Sequence, residues 1–264
     1  MKISEKIKLQ ILLALTLCFT ISCSNNDDND NNDNDIVKIP DANFKEALLG
    51  DSGINTNGDN EIQETEAQSY MGGIDVSNSN IADLTGIEAF KSITELYASN
   101  NSISAVDISK NTKIEKLHLI NNILTNLDVN KNLELTSLQL GQNSLSTLDI
   151  SKNIKLIRLG LYDNSLTSMD VSNNIELTQV LVESNKLTTI DLSMLTKLTD
   201  FKGHSNNLDD VNVANGNNTN MTRFEVHSNP NLKCVRVDDG FIPNSGWVLG
   251  AAKTNCGVLV DNEG

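Results

Sequence analysis

IEKLHLINNILTNLDVNKNLELTSLQLGQN, residues 114–143, carries one pattern twice. Ile114, Leu117 and Leu119 precede Asn122, and 21 residues later Leu135, Leu138 and Leu140 precede Asn143 at the same spacings. Working outward in both directions, Ile93, Ile114, Leu135, Leu156, Leu177 and Leu198 open six successive units. Three residues on come Leu96, Leu117, Leu138, Leu159, Val180 and Phe201, and five on come Ala98, Leu119, Leu140, Leu161, Val182 and Gly203. Eight on stands an unbroken column, Asn101, Asn122, Asn143, Asn164, Asn185 and Asn206. A fixed period of this length marks a solenoid, whose units bury their apolar faces only against their neighbours.

The columns predict local structure. Apolar residues spaced by two form a short strand, and each unit adds a parallel strand about 4.8 Å from the last. The strand ends in a turn with buried backbone groups, where an Asn amide both donates and accepts. A second polar column, Asp107, Asp128, Asp149, Asp170 and Asp191 with Asn212 in the sixth unit, falls on the opposite, convex side. It reads as a set of Asx turns, with a ladder of bound cations as the alternative.

The motif LxxLxLxxNxL is identified as the leucine-rich repeat. It implies an α/β solenoid of 21-residue units with a parallel sheet on its concave face. MGGIDVSNSNIADLTGIEAF, residues 71–90, supplies a divergent first unit. The unit opened by Met221 comes 23 residues after Leu198, so residues 215–220 are expected to bulge. Repeats over 71–237 are then flanked by a helical cap at 36–70 and a C-terminal cap at 238–264, because a solenoid's ends expose its core. Cys234 and Cys256 are expected to form a disulfide clipping that tail, closing a loop of about 22 residues and contributing on the order of 3 kcal/mol.

The first 22 residues carry Lys2, Lys6 and Lys8 ahead of an apolar run too short for the roughly 30 Å of a bilayer core, and read as a signal peptide. Thr20, Ile21, Ser22 and Cys23 resemble a lipobox, making Cys23 the expected lipid anchor. Residues 24–35, SNNDDNDNNDND, hold five Asp and no apolar residue, so residues 23–35 read as the lipidated Cys and a solvated tether. Acidic runs after the lipidated Cys resemble export signals of surface-displayed lipoproteins, which implies an outer-membrane lipoprotein facing outward. The net charge of −15 argues against nucleic acid as partner. Membrane contact is expected only through the anchor.

Between the first helix, expected in IPDANFKEALL (39–49), and a second near 66–70 lies INTNGDNEIQETE (54–66), close to a calcium loop. Asn55, Asn57, Asp59, Gln63 and Glu66 fall on ligand positions 1, 3, 5, 9 and 12, Glu61 would use its carbonyl at 7, and Asn60 stands at the tight turn. With only two ligand carboxylates, weak structural Ca2+ binding at about 10⁻⁴–10⁻³ M is one reading and a purely structural cap the other. The helix, loop, helix and repeats together resemble internalin-type secreted bacterial repeat proteins with an EF-hand-like cap.

The concave face is expected to display Tyr97, His118, Gln139, Gly160, Leu181, Lys202 and Glu225 in one column, Ser99, Ile120, Gly141, Tyr162, Glu183, His204 and His227 in the next, and Lys116, Arg158 and Arg223 in a third. Aromatics and Arg dominate binding hot spots, so this is the expected partner surface. A protein ligand is the first reading, a glycan stacked on Tyr97 and Tyr162 the second, and a passive envelope spacer the third. Glu183, His204 and His227, consecutive in one column, are also candidates to share a transition metal. The sequence has no GxSxG, HExxH, phosphate loop or GxGxxG, so no enzymatic activity is expected.

Overall fold

The computed structural model describes residues 36–254. The signal segment, Cys23, the acidic tether and Cys256 lie outside the described residues. The predicted period becomes a parallel β-solenoid of about nine turns.

One strand per unit builds the main sheet: β1 (Gly73–Asp75), β2 (Glu95–Tyr97), β3 (Lys116–His118), β4 (Ser137–Gln139), β5 (Arg158–Gly160) and β6 (Gln179–Leu181). After β7 (Thr189–Asp191) come β8 (Asp200–Lys202), β9 (Asp210–Asn212), β10 (Arg223–Glu225), β11 (Cys234–Arg236), β12 (Trp247–Val248) and β13 (Lys253–Thr254). The nine-stranded sheet runs β1-β2-β3-β4-β5-β6-β8-β10-β12, parallel throughout, with Leu96, Leu117, Leu138, Leu159, Val180, Phe201 and Phe224 in direct register. Those residues are fully buried, as are Ile93, Ile114, Leu135, Leu156, Leu177 and Leu198.

The Asn column works as predicted. In Asn185, Nδ2 donates to the carbonyls of Leu161 (2.9 Å) and Val182 (3.1 Å) while Oδ1 accepts from Leu166 N (2.9 Å). Each such amide therefore ties its own turn to the preceding coil. The residue before it is left-handed in every unit: Asn100, Asn121, Gln142, Asp163, Ser184, Ser205 and Ser228 have φ between 51° and 58°. That column is polar and free of β-branched residues, the types this backbone region penalises most.

On the convex side the Asp column also forms the expected Asx turns, with Ser109 N donating to Asp107 (2.8 Å), Ser151 N to Asp149 (2.9 Å) and Ser172 N to Asp170 (2.9 Å). Beside it stands a second, fully buried ladder that the reading of the sequence passed over: Asn111, Asn132, Asn153 and Asn174. Asn153 Nδ2 donates to the carbonyls of Val129 (3.0 Å) and Asn132 (2.9 Å). The Oδ1 atoms of all four lack a protein partner. Leu195 takes the next place in that ladder, and a second parallel sheet, β7-β9-β11-β13, occupies the convex side from that unit onward.

At the N-terminus, α1 (Ala42–Leu49) buries Phe44 and Leu48, and α2 (Glu64–Ser69) buries Ala67. Asp41 joins this helical end to the solenoid. Its Oδ1 accepts from Asn43 N (3.0 Å) and Phe44 N (3.1 Å), capping α1, and its Oδ2 accepts from Ala82 N (2.8 Å) and Asp83 N (3.1 Å) of the first unit. At the other end the bulge is a 3₁₀ turn, Asn218–Asn220. The stacking continues beyond Val237: β12 adds the ninth strand against β10, and Trp247 lies 4.2 Å from the Phe224 ring and 4.8 Å from Phe241. Cys234 lies in β11, on the convex sheet, in register with Lys253 of β13.

Candidate functional site

Two regions carry polar side chains that the core does not need: the loop between α1 and α2, and the concave face. In the loop, the residues assigned as ligands do converge, through hydrogen bonds to one another. Asp59 Oδ2 accepts from the amides of Asn57 (2.8 Å) and Gln63 (2.9 Å), and Asp59 Oδ1 from Glu61 N (2.7 Å). Glu66 Oε1 accepts from Thr56 N (2.8 Å), Thr56 Oγ1 (2.9 Å) and Asn57 N (3.2 Å), and its Oε2 from Gln63 N (3.1 Å). Burial pushes the Glu66 pKa up, but these donors outweigh it and hold the carboxyl below its usual range.

Two details differ from the expected geometry. The left-handed turn falls on Gly58 (φ 70°), and Asn60 is not among the positive-φ residues. Only Gly among the loop residues reaches that region without a Cβ clash, and it stands two places before the position that was expected to turn. Asn55, expected as the first ligand, is buried and spends its amide on Leu49 O (3.4 Å) and Asp59 O (3.0 Å), with Oδ1 accepting from Gly58 N (3.1 Å). Glu61 pairs with Lys45 at 2.6 Å. A hard cation at Asp59 would need the Asn57 and Gln63 amides turned over to present their oxygens, at the loss of the bond from Asp59 N to Asn57 Oδ1 (2.8 Å).

The face of the nine-stranded sheet displays the predicted columns on β2 to β6, β8 and β10 and on the residues that follow them. Tyr97, His118, Ile120, Tyr162, Leu181, Glu183, Lys202, His204, Arg223 and His227 are partly buried in a grid of side chains, and Arg158 is exposed. Tyr97 meets His118 edge to face at 4.8 Å, with its hydroxyl donating to Glu95 (2.7 Å), and His118 Nε2 lies 3.1 Å from Ser137 Oγ. Burial, then the nearby Arg158 and Lys116 charges, lower the His118 pKa. Tyr162 covers Gly141 so closely that a Cβ there would lie 2.4 Å from its ring. Gly160 likewise gives the Gln139 side chain its place.

Two cations of the third column are neutralised within the sheet. Arg223 grips Asp200 with two bonds of 2.6 Å, Gln179 adds a third at 2.7 Å, and Lys116 pairs with Glu95 at 2.7 Å. Arg158 has no ion pair among the described residues. Each acidic partner belongs to the preceding unit of the same column, Glu95 one 21-residue period before Lys116 and Asp200 one unit before Arg223, so the pairs were open to the same periodic reading that placed the cations. Glu183 is different: burial raises its pKa, its Oε2 has no partner, and Lys202 approaches Oε1 only to 3.9 Å.

His204 and His227 stack at 4.5 Å, nearly parallel at 9°. The carboxylate that joins them is Glu225, in the neighbouring column, with His204 Nε2 at 3.8 Å from its Oε2. Glu183 was the expected third member. Consecutive residues of one column sit one strand apart with side chains rising in parallel, whereas Glu225 stands on the His227 strand itself and leans across to His204. Burial, then the His227 charge, lower the His204 pKa.

No family model matches the sequence, and no curated protein does. Solved structures do resemble it. The functional domain of InlJ from Listeria monocytogenes, which includes a cysteine ladder, is 25% identical over 75% of this chain and 55% of its own, with a TM-score of 0.46. A leucine-rich repeat protein of Leptospira interrogans is 17% identical over 64% of this chain and 52% of its own, at 0.49. Internalin C2 from Listeria monocytogenes is 17% identical over 81% of this chain and 93% of its own, at 0.56. The chain thus spans only about half the length of the first two. Internalin C2, a leucine-rich repeat protein, shares its fold.

Proposed function

We propose that this chain is a non-enzymatic binding scaffold, anchored to the outer surface of a bacterial cell by a lipid on Cys23, whose concave face holds a protein partner in adhesion or host contact. The observation carrying it is the face itself: a row of Tyr, His, Ile and Leu side chains held at one-strand spacing on a rigid sheet, with Arg223 and Lys116 already paired. Pre-paired charges and fixed aromatics lose little entropy when a partner docks. Repeat neighbours support a protein-interaction scaffold, and the anchor rests on the signal and lipobox sequence. Pairing of β13 with β11 brings the chain to within a few residues of Cys256 beside Cys234, which supports the proposed disulfide.

The test has two steps. Protease shaving and labelling of intact cells should reach the protein from outside; complete protection rejects the surface reading. A photo-crosslinker at Tyr162 or Leu181 should then capture an envelope or host protein that the same group at convex Lys152 does not. Binding on a glycan array that is lost in Tyr162→Ala would replace the protein partner by a carbohydrate. Equal yields from both faces would leave a passive spacer.

A further inference from the structure

We infer that His204, Glu225 and His227 form a binding site for a divalent transition-metal ion at the C-terminal end of the concave face. Their ligand atoms all lie within 4.8 Å of one another, the one such cluster of three or more among the described residues. Each imidazole is held from behind in the same way: His204 Nδ1 lies 3.1 Å from Ser205 Oγ and His227 Nδ1 lies 3.0 Å from Ser228 Oγ. With both Nδ1 atoms engaged and the rings nearly parallel, the two Nε2 atoms are left as the free ligating edge.

The backbone beneath is rigid. Gly203 N donates to Glu225 O (2.8 Å) and Ser205 N to His227 O (3.2 Å), so the two coils are locked in register directly under the cluster. Gly250 passes against His227, where an added Cβ would meet the His227 Cα at 3.1 Å. Metal–nitrogen bonds of about 2.0–2.1 Å need the Nε2 atoms closer than the present stacking and the in-plane lone pairs of the nearly parallel rings turned toward one point, so each ring must rotate about its own side-chain bonds when the ion binds. Two imidazoles and one carboxylate leave a fourth position open, and imidazole ligands select Zn2+, Cu2+ or Ni2+ over Ca2+ and Mg2+.

Calorimetric titration of the full chain with ZnCl2 should show one site per chain. Affinity should fall about 100-fold or more in His204→Ala and His227→Ala and about 10-fold in Glu225→Gln, and stay unchanged in His118→Ala and Glu183→Gln. Cu2+ bound to the wild-type chain should show two nitrogen ligands by electron paramagnetic resonance, and one in either single His variant. Glu225→Gln keeps shape and volume, so a folded variant is in hand even if a His replacement disturbs the strand. Absence of heat up to about 1 mM ZnCl2, or Zn2+ binding undiminished in the folded His204→Ala/His227→Ala chain, would overturn the site. The titration involves no macromolecular partner, so its result is independent of what the concave face holds.

Discussion

At the scale of single residues, the solenoid depends on side chains that serve the backbone. Asn185 satisfies three buried backbone groups, whereas Asn153 in the convex ladder satisfies two carbonyls and leaves its own oxygen unpaired. Asn185→Ala should therefore cost about 2–3 kcal/mol in chemical denaturation, since it strands the buried Leu166 N–H, and Asn153→Leu only about 1 kcal/mol. Equal losses would show that the two ladders are equivalent. Gln142 tests the left-handed column: it is exposed with φ 57° and makes no side-chain hydrogen bond among the described residues. Gln142→Ile should lose about 1–2 kcal/mol through backbone strain alone, while Gln142→Gly should stay near neutral.

At the scale of elements, the N-terminal helices are held by carboxylates that accept backbone N–H groups. In Asp41, burial raises the pKa but the bonds from Ala82, Phe44, Asp83 and Asn43 together lower it below 3.8, and Glu66 is likewise held below 4.5. A depressed folded pKa means that the contribution is present above the unfolded value and lost as pH falls through the folded one. Urea midpoints should accordingly drop from about pH 5 downward, and Asp41→Ala should remove about 1–2 kcal/mol at pH 7 and flatten that drop. The loop between the helices gives a separate expectation. Millimolar Ca2+ should raise the melting temperature, and Asp59→Ala with Glu66→Ala should abolish the rise; an unchanged wild-type melting curve would leave the amide network as the loop's only role.

At the scale of the whole molecule, the repeats form one cooperative stack closed by different devices at each end. The C-terminal device is aromatic, Phe201, Phe224, Trp247 and Phe241 in succession. Trp247→Ala should cost about 3 kcal/mol and speed hydrogen exchange in β10 to β12 before it is felt in β2 to β5, because each coil is stabilised mainly by its neighbours. Uniform acceleration along the stack would contradict that one-dimensional picture.

The repeat period, the Leu columns, the first Asn ladder, the Asx turns and the membership of the concave face were all legible in residue order. Each follows from contacts at a constant offset between identical units, and a constant offset is visible as periodicity. The second Asn ladder shared the same period and was open to the same reading, but a polar residue that follows Lys110, Lys131, Lys152 or Asn173 looks solvated until its burial is known. The ion pairs Arg223–Asp200 and Lys116–Glu95 join direct register partners and were likewise open to that reading, whereas the second sheet and the turn at Gly58 depend on backbone geometry that no repeated offset announces. The same distinction separates the two metal readings. The order of residues set His204 and His227 on adjacent strands, while only packing in three dimensions turned Glu225, and not Glu183, toward them.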